Sequence, residues 1–227
     1  MRNTYLDYFR FIAFILMFTY HFVISDYIFF SSGAYNFYRS FFEIIGVIAR
    51  YLFILTSGFS LYYSQNKYTF TKLKSRFLTL LTCSILISFF SYLFFPQYFI
   101  FNGIIHFFTF ASVLNFVFLK LSRNFKFLLF IINLSFSFLL FPKIDSPYLF
   151  FQILGAGGIE FSTLDFFPLL PWYNLIILGY FTAPLINKLN ELKPLKQNLF
   201  TKIGSHSLKA YMLHPFILLL FFFFVRV

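Results

Sequence analysis

The chain has 227 residues, of which 60% are hydrophobic, 26% aromatic and only 11% charged, and its formal net charge is +11. A soluble domain averages roughly 45–50% apolar and about 25% charged residues, so this composition excludes a soluble globular protein and indicates an integral membrane protein. The basic residues lie in short loops between apolar stretches, where they act as topology signals, and we therefore expect no nucleic-acid partner.

Seven apolar stretches have the length of membrane-spanning helices, which need about 20 residues. They cover residues 5–25, 39–64, 77–95, 98–119, 125–141, 167–187 and 204–225. Backbone polar groups in lipid must be paired within the chain, and these stretches are much longer than barrel strands. We therefore predict an all-α, polytopic transmembrane bundle of about seven spans, with residues 1–227 as a single domain. Arg10 interrupts any signal-peptide core, so we expect the first span to be retained.

The charge of the connections alternates along the chain. Those around residues 67–76, 120–126 and 188–202 are rich in lysine and arginine, whereas those around 26–38, 95–99 and 142–165 hold only Lys143. Because basic loops stay on the cytoplasmic side, we predict a cytoplasmic N-terminus and an external C-terminus. The apolar external stretch 142–165 is either a re-entrant or interfacial segment or an ordinary surface loop.

Ionisable groups on the first predicted helix share one face. At about 100° per residue, Asp7, Arg10, Phe14 and His21 fall close to one stripe, with Arg10 and His21 roughly 16 Å apart along the axis. Charged groups cost at least roughly 2.5–3.5 kcal/mol inside a membrane, so they usually face a cavity or a partner. We interpret the stripe as part of a polar path through the bundle.

Further polar residues lie in the second and fourth predicted spans. Glu43 and Arg50 are seven residues apart and are expected to face the same interior. Asn102 and His106 form a pair four residues apart on the fourth span. Beyond Arg50, the residues Ser57, Gly58 and Ser60 should allow close approach of another helix. Each polar residue taken singly could simply join two helices, whereas Arg10, His21, Arg50 and His106 together favour a functional site.

The sequence gives no support for a metal site or a soluble-hydrolase mechanism. Its four histidines lack ligand spacing, and the single Cys83 has no partner. The stretch "GSHS" at 204–207 resembles a nucleophile elbow only superficially, and Ser205 is interpreted as the N-cap of the last span. We therefore predict no metal.

Several motifs together resemble a known family. Arg10 and His21 look like the arginine and histidine of integral-membrane acyltransferases. The segments "LDYFRFIAFILMFTYHFV", "ARYLFILTSGFSL", "FNGIIHFF", "DFFPLLPWYNLIILGY" and "GSHSLKAYMLHP", in this order, resemble the heparan-alpha-glucosaminide N-acetyltransferase catalytic-domain-like family.

The resemblance implies transfer of an acetyl or other acyl group from cytosolic acyl-CoA to an amino sugar or hydroxyl of a glycan at the external face. Arg10 and Arg50 would bind CoA phosphates or polarise the thioester. His21 would be the general base, with His106 as the rival base, and Asp165 would orient the acceptor or a histidine.

Two other classes of function stay open. The same buried charges could form the substrate or proton path of a small transporter or channel-like protein. They could also hold together a structural subunit. Expected partners are membrane lipid, acyl-CoA and the acceptor, and a homodimer is an open alternative.

Overall fold

The computed structural model describes residues 3–30, 33–94, 96–140, 148–156, 163–193 and 195–226. The predicted ends at residues 95 and 141, together with residues 142–147 and 157–162 of the external stretch, lie outside these ranges. Within them the chain is α-helical, and the one β-type pairing is an isolated bridge between Asn102 and Phe166.

The described residues form nine α-helices, which run in chain order as follows: α1 Thr4–Phe30, α2 Gly33–Ser64, α3 Phe70–Phe94, α4 Ile104–Lys120, α5 Arg123–Ser135, α6 Leu149–Leu154, α7 Leu169–Leu192, α8 Leu199–Ser205 and α9 Ser207–Arg226. A π-helical turn, Phe136–Leu140, continues α5, and 3-10 turns Gln65–Lys67 and Pro96–Tyr98 flank α3. Non-helical backbone at Tyr38 divides α2. The part of α2 that follows this residue coincides with the predicted second span, residues 39–64.

Five of these helices are long and apolar enough to cross a membrane. They are Thr4–Tyr27, Tyr38–Lys67, Phe70–Phe94, Leu169–Leu192 and Ser207–Val225. The all-helical, multi-pass architecture predicted from the sequence is therefore confirmed. Helix α4, with 17 residues, and α5, with 13, are shorter, so the count of seven stays a prediction, as does the orientation.

The chain divides into two compact units, Met1–Ser60 with Gly179–Val227 and Leu61–Leu178. The single domain predicted from the sequence stays a prediction.

In the first unit, α1 packs against α8 and α9. The contact with α8 is very close: a Cβ added to Gly204 would lie 1.9 Å from the Asp7 carbonyl oxygen. Gly179 of α7 makes a similar approach to α2, where an added Cβ would lie 2.3 Å from the Leu55 carbonyl oxygen and 3.1 Å from the Gly58 Cα. The small residue at position 58 thus allows close helix packing, as its sequence context predicted.

In the second unit, α3 packs against α4, and polar side chains join α4, α5 and α7. The Tyr173 hydroxyl donates to Asn115 Oδ1 at 3.2 Å, and the Asn133 amide donates to the Leu170 carbonyl at 3.1 Å. Tyr68, between α2 and α3, packs its ring against Phe116. Burial raises the pKa of the Tyr68 hydroxyl, and the Arg76 charge opposes this only in part, so the phenol stays neutral.

The described part of the stretch 142–165 includes a short helix and its C-terminal turn. Helix α6 has six residues, too few to cross a membrane, and it ends at Gly155, whose φ of 117° is accessible mainly to glycine. A Cβ at this position would also lie 2.7 Å from Pro171 at the start of α7. Phe150 is 66% exposed whereas Gln152 is buried, so α6 presents one apolar face outward. The choice between a re-entrant segment and a surface loop stays open.

Candidate functional site

Arg10 lies between α1 and α2 and is held by a partner from each helix. Its Nη1 donates to Asp7 Oδ1 at 3.1 Å, and its Nη2 donates to Ser60 Oγ at 2.6 Å. The Ser60 hydroxyl in turn donates to the Thr56 carbonyl at 2.6 Å. Asp7 is buried and the Arg10 side chain is 24% exposed. The guanidinium is thus fixed in orientation on a side chain that stays partly exposed.

His21, three turns further along α1, pairs with a histidine of α9. His21 Nδ1 lies 2.7 Å from His214 Nε2, and the two ring planes are inclined by only 12°. The other ring nitrogen of His214, Nδ1, lies 2.5 Å from the Tyr211 carbonyl oxygen. His214 is 2% exposed, whereas His21 is only half-buried. One ring of this pair is therefore enclosed and the other is reachable.

Aromatic side chains enclose the inner member of this pair. The rings of Phe14 and Phe18 on α1 meet His214 edge-on, with centroids 6.3 and 6.4 Å away. Tyr211 packs edge-on against both His214 and Phe53 of α2. The two histidines therefore lie where α1, α2 and α9 converge, in surroundings that exclude water from the His214 side.

Arg50 of α2 belongs to the same site. Its Nε donates to the Gly46 carbonyl one turn earlier at 3.1 Å, and its charge lies within electrostatic range of His21. An added Cβ on Gly46 would lie 2.9 Å from the Tyr20 ring, so the missing side chain lets α2 approach α1 directly beside His21. Arg50 is thus anchored one turn from the point where α2 meets α1 at Tyr20, the residue before His21.

His106 lies in the other unit, at the junction of α3 and α4. Its Nε2 is 3.0 Å from Ser88 Oγ, and the Ser88 hydroxyl donates to the Ile100 carbonyl at 2.6 Å. His106 Nδ1 is buried and, within the described part of the chain, has no hydrogen-bond partner. Because the one hydrogen of the Ser88 hydroxyl goes to the Ile100 carbonyl, the His106 Nε2 must donate to Ser88 Oγ, and the ring is protonated at Nε2.

Asp165 meets the beginning of α4 in the same unit. Its Oδ2 accepts from the Ile104 backbone N–H at 3.0 Å, which satisfies one of the free donors at the helix N-terminus. Asn102 lies before α4 rather than on it. Its side-chain Nδ2 donates to the Phe167 carbonyl at 3.1 Å, and its backbone carbonyl accepts from the Phe167 N–H at 2.8 Å. The expected helical pairing of Asn102 with His106 is therefore wrong, because the chain is still extended at residue 102.

Two further expectations differ from the structure. Glu43 does not share an interior with Arg50, since its carboxylate accepts from Arg39 at 2.8 Å in an exposed ion pair. Ser205 does not cap α9 but is the last residue of α8, and its hydroxyl donates to the Lys202 carbonyl. The residue that caps a helix here is Asn198, which accepts from the Thr201 N–H.

His214 was not among the predicted site residues, because no spacing along the chain connects it with His21. The pairing of His214 is with His21, 193 positions away. Among the described residues, no group of three or more His, Cys, Asp and Glu side chains is placed to hold a metal ion.

The fold and the site define a class of protein. It is a multi-pass membrane protein in which arginines and a pair of histidines lie where apolar helices meet. The family model for the catalytic region of heparan-alpha-glucosaminide N-acetyltransferase matches residues 2–216. The chain belongs to this family, and is thus a multi-pass membrane protein of an acetyltransferase family. No curated protein and no solved structure gives a significant match to the chain.

Proposed function

We propose that this protein is a membrane acetyltransferase that moves an acetyl group from cytosolic acetyl-CoA to an amino or hydroxyl group of a glycan at the external face of a bacterial inner membrane. The observation that carries the proposal is the convergence of α1, α2 and α9 on His21, with Arg50 beside it, in a chain of this family. A reachable imidazole next to a fixed cation is a combination suited to acyl transfer.

In the proposed reaction the acceptor nitrogen or oxygen bonds to the thioester carbonyl carbon, and the carbon–sulfur bond breaks. His21 removes the proton of the attacking group and returns it to the departing CoA thiolate, so no further reactant is needed. Arg50 stabilises the negative charge that develops on the carbonyl oxygen. Arg10, whose side chain is partly exposed, binds a phosphate or the pantetheine carbonyls of CoA.

The proposed direction of transfer follows from topology. With a cytoplasmic N-terminus, Arg10 lies nearer the cytoplasm and His21 about 16 Å nearer the outside, because α1 is continuous between them. Helix α4 and the helix formed by α5 with its π turn would span about 26 and 27 Å, close to the roughly 30 Å of a bilayer core. Together with the five longer helices they give the seven spans that we propose.

His106 and Asp165 have secondary places in this proposal. Ser88 already engages the His106 nitrogen that carries the proton, and Nδ1 is enclosed, so we favour His21 as the base. Asp165 lies in a connection that this topology places outside, and we propose that its carboxylate orients the acceptor while it holds α4.

The decisive experiment incubates the purified protein in nanodiscs with radiolabelled acetyl-CoA and an amino-sugar acceptor. We expect acetyl transfer by the wild type, and a loss of about 10²- to 10⁴-fold in His21→Ala, the range that a general base contributes. His106→Ala should retain most of the activity.

His206→Ala is the matched control, because His206 is an exposed histidine whose Nδ1 lies within hydrogen-bond distance of Ser205 Oγ and the Lys202 carbonyl. Equal activity in wild type and His21→Ala would overturn the assignment of the base. Solute counterflow in liposomes that does not depend on acetyl-CoA would instead show that the protein is a transporter.

A further inference from the structure

Helix α9 carries a proline directly after the buried histidine. Pro215 has no backbone N–H, so it donates no hydrogen bond to the carbonyl four residues earlier, that of Tyr211. The His214 Nδ1 lies 2.5 Å from this oxygen. The imidazole therefore takes the place of the backbone donor that the proline removes.

This contact determines where the protons lie in the pair of rings. A carbonyl oxygen can only accept, so His214 Nδ1 must carry a hydrogen, and Nε2 of the neutral ring is then an acceptor. His214 Nε2 faces His21 Nδ1 at 2.7 Å, so the hydrogen between them belongs to His21 Nδ1. In a neutral His21 the remaining nitrogen, Nε2, then carries a lone pair and no proton.

We propose that His214, anchored on the Tyr211 carbonyl, is a positioning residue that holds His21 as the Nδ1–H tautomer and makes His21 Nε2 the basic atom. The catalytic consequence rests on the proposed function, whereas the tautomer itself does not. Half-buried His21 can meet an acceptor at Nε2, while 2%-exposed His214 acts only through it.

The geometry assigns His214 an orienting role rather than a place in a proton relay. When the acceptor's proton moves to His21 Nε2, the ring becomes a cation, and its Nδ1–H bond to His214 becomes a stronger, charge-assisted one. The proton on His214 Nδ1 faces the Tyr211 carbonyl, which cannot take it, so no proton leaves by that route. The transferred proton stays on His21 until the CoA thiolate accepts it.

The tautomer can be measured without substrate. In protein labelled with ¹⁵N-histidine in nanodiscs, the ring ¹⁵N shifts distinguish protonated from bare nitrogens, and His21→Asn identifies the His21 signals. We expect wild-type His21 to be protonated at Nδ1 and bare at Nε2. In His214→Leu, a substitution that keeps the volume and removes the acceptor, a large fraction of His21 should convert to the Nε2–H form.

Kinetics of acetyl transfer provide the second measurement. His214→Leu should lower kcat about 10²-fold, the lower end of a general base's contribution, and leave the KM for acetyl-CoA unchanged. His214→Gln supplies a carbonyl that can accept from His21 Nδ1–H, so it should restore the tautomer and at least a tenth of the wild-type kcat. His206→Gln is the matched control and should change neither.

Pro215→Ala tests the anchor without touching either ring. It returns a backbone donor to the Tyr211 carbonyl and removes a proline from a helix interior, so folding should not suffer. We expect a mixture of His21 tautomers and a several-fold fall in kcat.

Protonation of wild-type His21 at Nε2, or an unchanged tautomer in His214→Leu, would overturn the inference even if the protein is an active acetyltransferase. The expected tautomers in a protein that transfers no acetyl group would instead leave the positioning role of His214 standing and remove the proposed function.

Discussion

Arg10 holds its guanidinium between a carboxylate of its own helix and a hydroxyl of the next, at 3.1 and 2.6 Å. Two fixed contacts leave the planar group in one orientation, and this is where an arginine differs from a lysine, whose ammonium is a mobile point charge. If the partly exposed Arg10 side chain binds the CoA moiety, replacement of Arg10 should affect the binding of acetyl-CoA more than the chemical step.

We expect Arg10→Gln to raise the KM for acetyl-CoA about 10- to 100-fold, because a hydrogen bond to a charged group is worth about 1.5–3 kcal/mol. Arg10→Lys should fall between Gln and wild type. Steady-state kinetics in nanodiscs, with acetyl-CoA as the varied substrate, measure this.

Arg10→Gln also leaves the buried Asp7 carboxylate without its cation, so stability needs its own control. The double variant Asp7→Asn with Arg10→Gln should recover thermal stability and keep the raised KM. Arg39→Gln, at an exposed ion pair, should leave the KM at its wild-type value. A wild-type KM in Arg10→Gln would exclude Arg10 from substrate binding.

At the scale of elements, the contact of α8 with α1 depends on a missing side chain. The Asp7 carbonyl oxygen occupies the place that a Cβ on Gly204 would take, with only 1.9 Å between them. Because this oxygen belongs to backbone, no side-chain rotation can relieve the overlap. The helices would have to separate, and Arg10, one turn after Asp7, would move with α1.

Gly204→Ala should therefore lower stability by about 1–3 kcal/mol or more, the usual cost of overpacking. For a chain of this length we expect a fall in Tm on the order of 5 °C, measured by thermal unfolding in detergent.

Ser205→Ala is the neighbouring control for this variant, because it removes the exposed hydroxyl contacts with the Lys202 carbonyl and the His206 ring and should shift Tm by less than about 2 °C. An unchanged Tm in Gly204→Ala would show that the close approach of α8 to α1 does not exist in the folded protein.

At the scale of the whole molecule, the distribution of basic residues predicts which ends of the helices face the cytoplasm. Lys74 follows the connection of α2 to α3, and Leu164 lies before α7, where it is 45% exposed. The positive-inside rule places position 74 on the cytoplasmic side and position 164 outside.

Cysteine labelling in intact cells tests this orientation after Cys83, the single native cysteine, is replaced by serine. An impermeant maleimide should label Leu164→Cys and leave Lys74→Cys unlabelled, and both should react once the membrane is permeabilised. Labelling of Lys74→Cys alone in intact cells would reverse the proposed topology and, with it, the direction of acetyl transfer.

The helices were predictable from local information, since about 20 apolar residues in succession have few alternatives in lipid. The sequence also places Arg10 and His21 on one face of α1, and the structure directs both toward neighbouring helices. Two expectations failed for different reasons. Asn102 pairs with Phe167, which is distant in sequence, instead of extending α4, whereas Glu43 pairs with Arg39, one turn earlier on its own helix, instead of turning toward Arg50.

The sequence was enough to predict an integral membrane protein, the number of long apolar helices to within two, the polar face of the first helix and the family. It could do so because hydropathy and helical periodicity depend on residues close together in the chain. Three contacts could be seen only in the tertiary structure. His214 meets His21 across 193 positions, Ser88 contacts His106, and Asp165 accepts from the Ile104 N–H at the start of α4. Such pairings depend on how helices approach one another, and this is set by packing at positions such as Gly46, Gly179 and Gly204. Patterns among residues close together in the chain do not predict which distant helices will pack there.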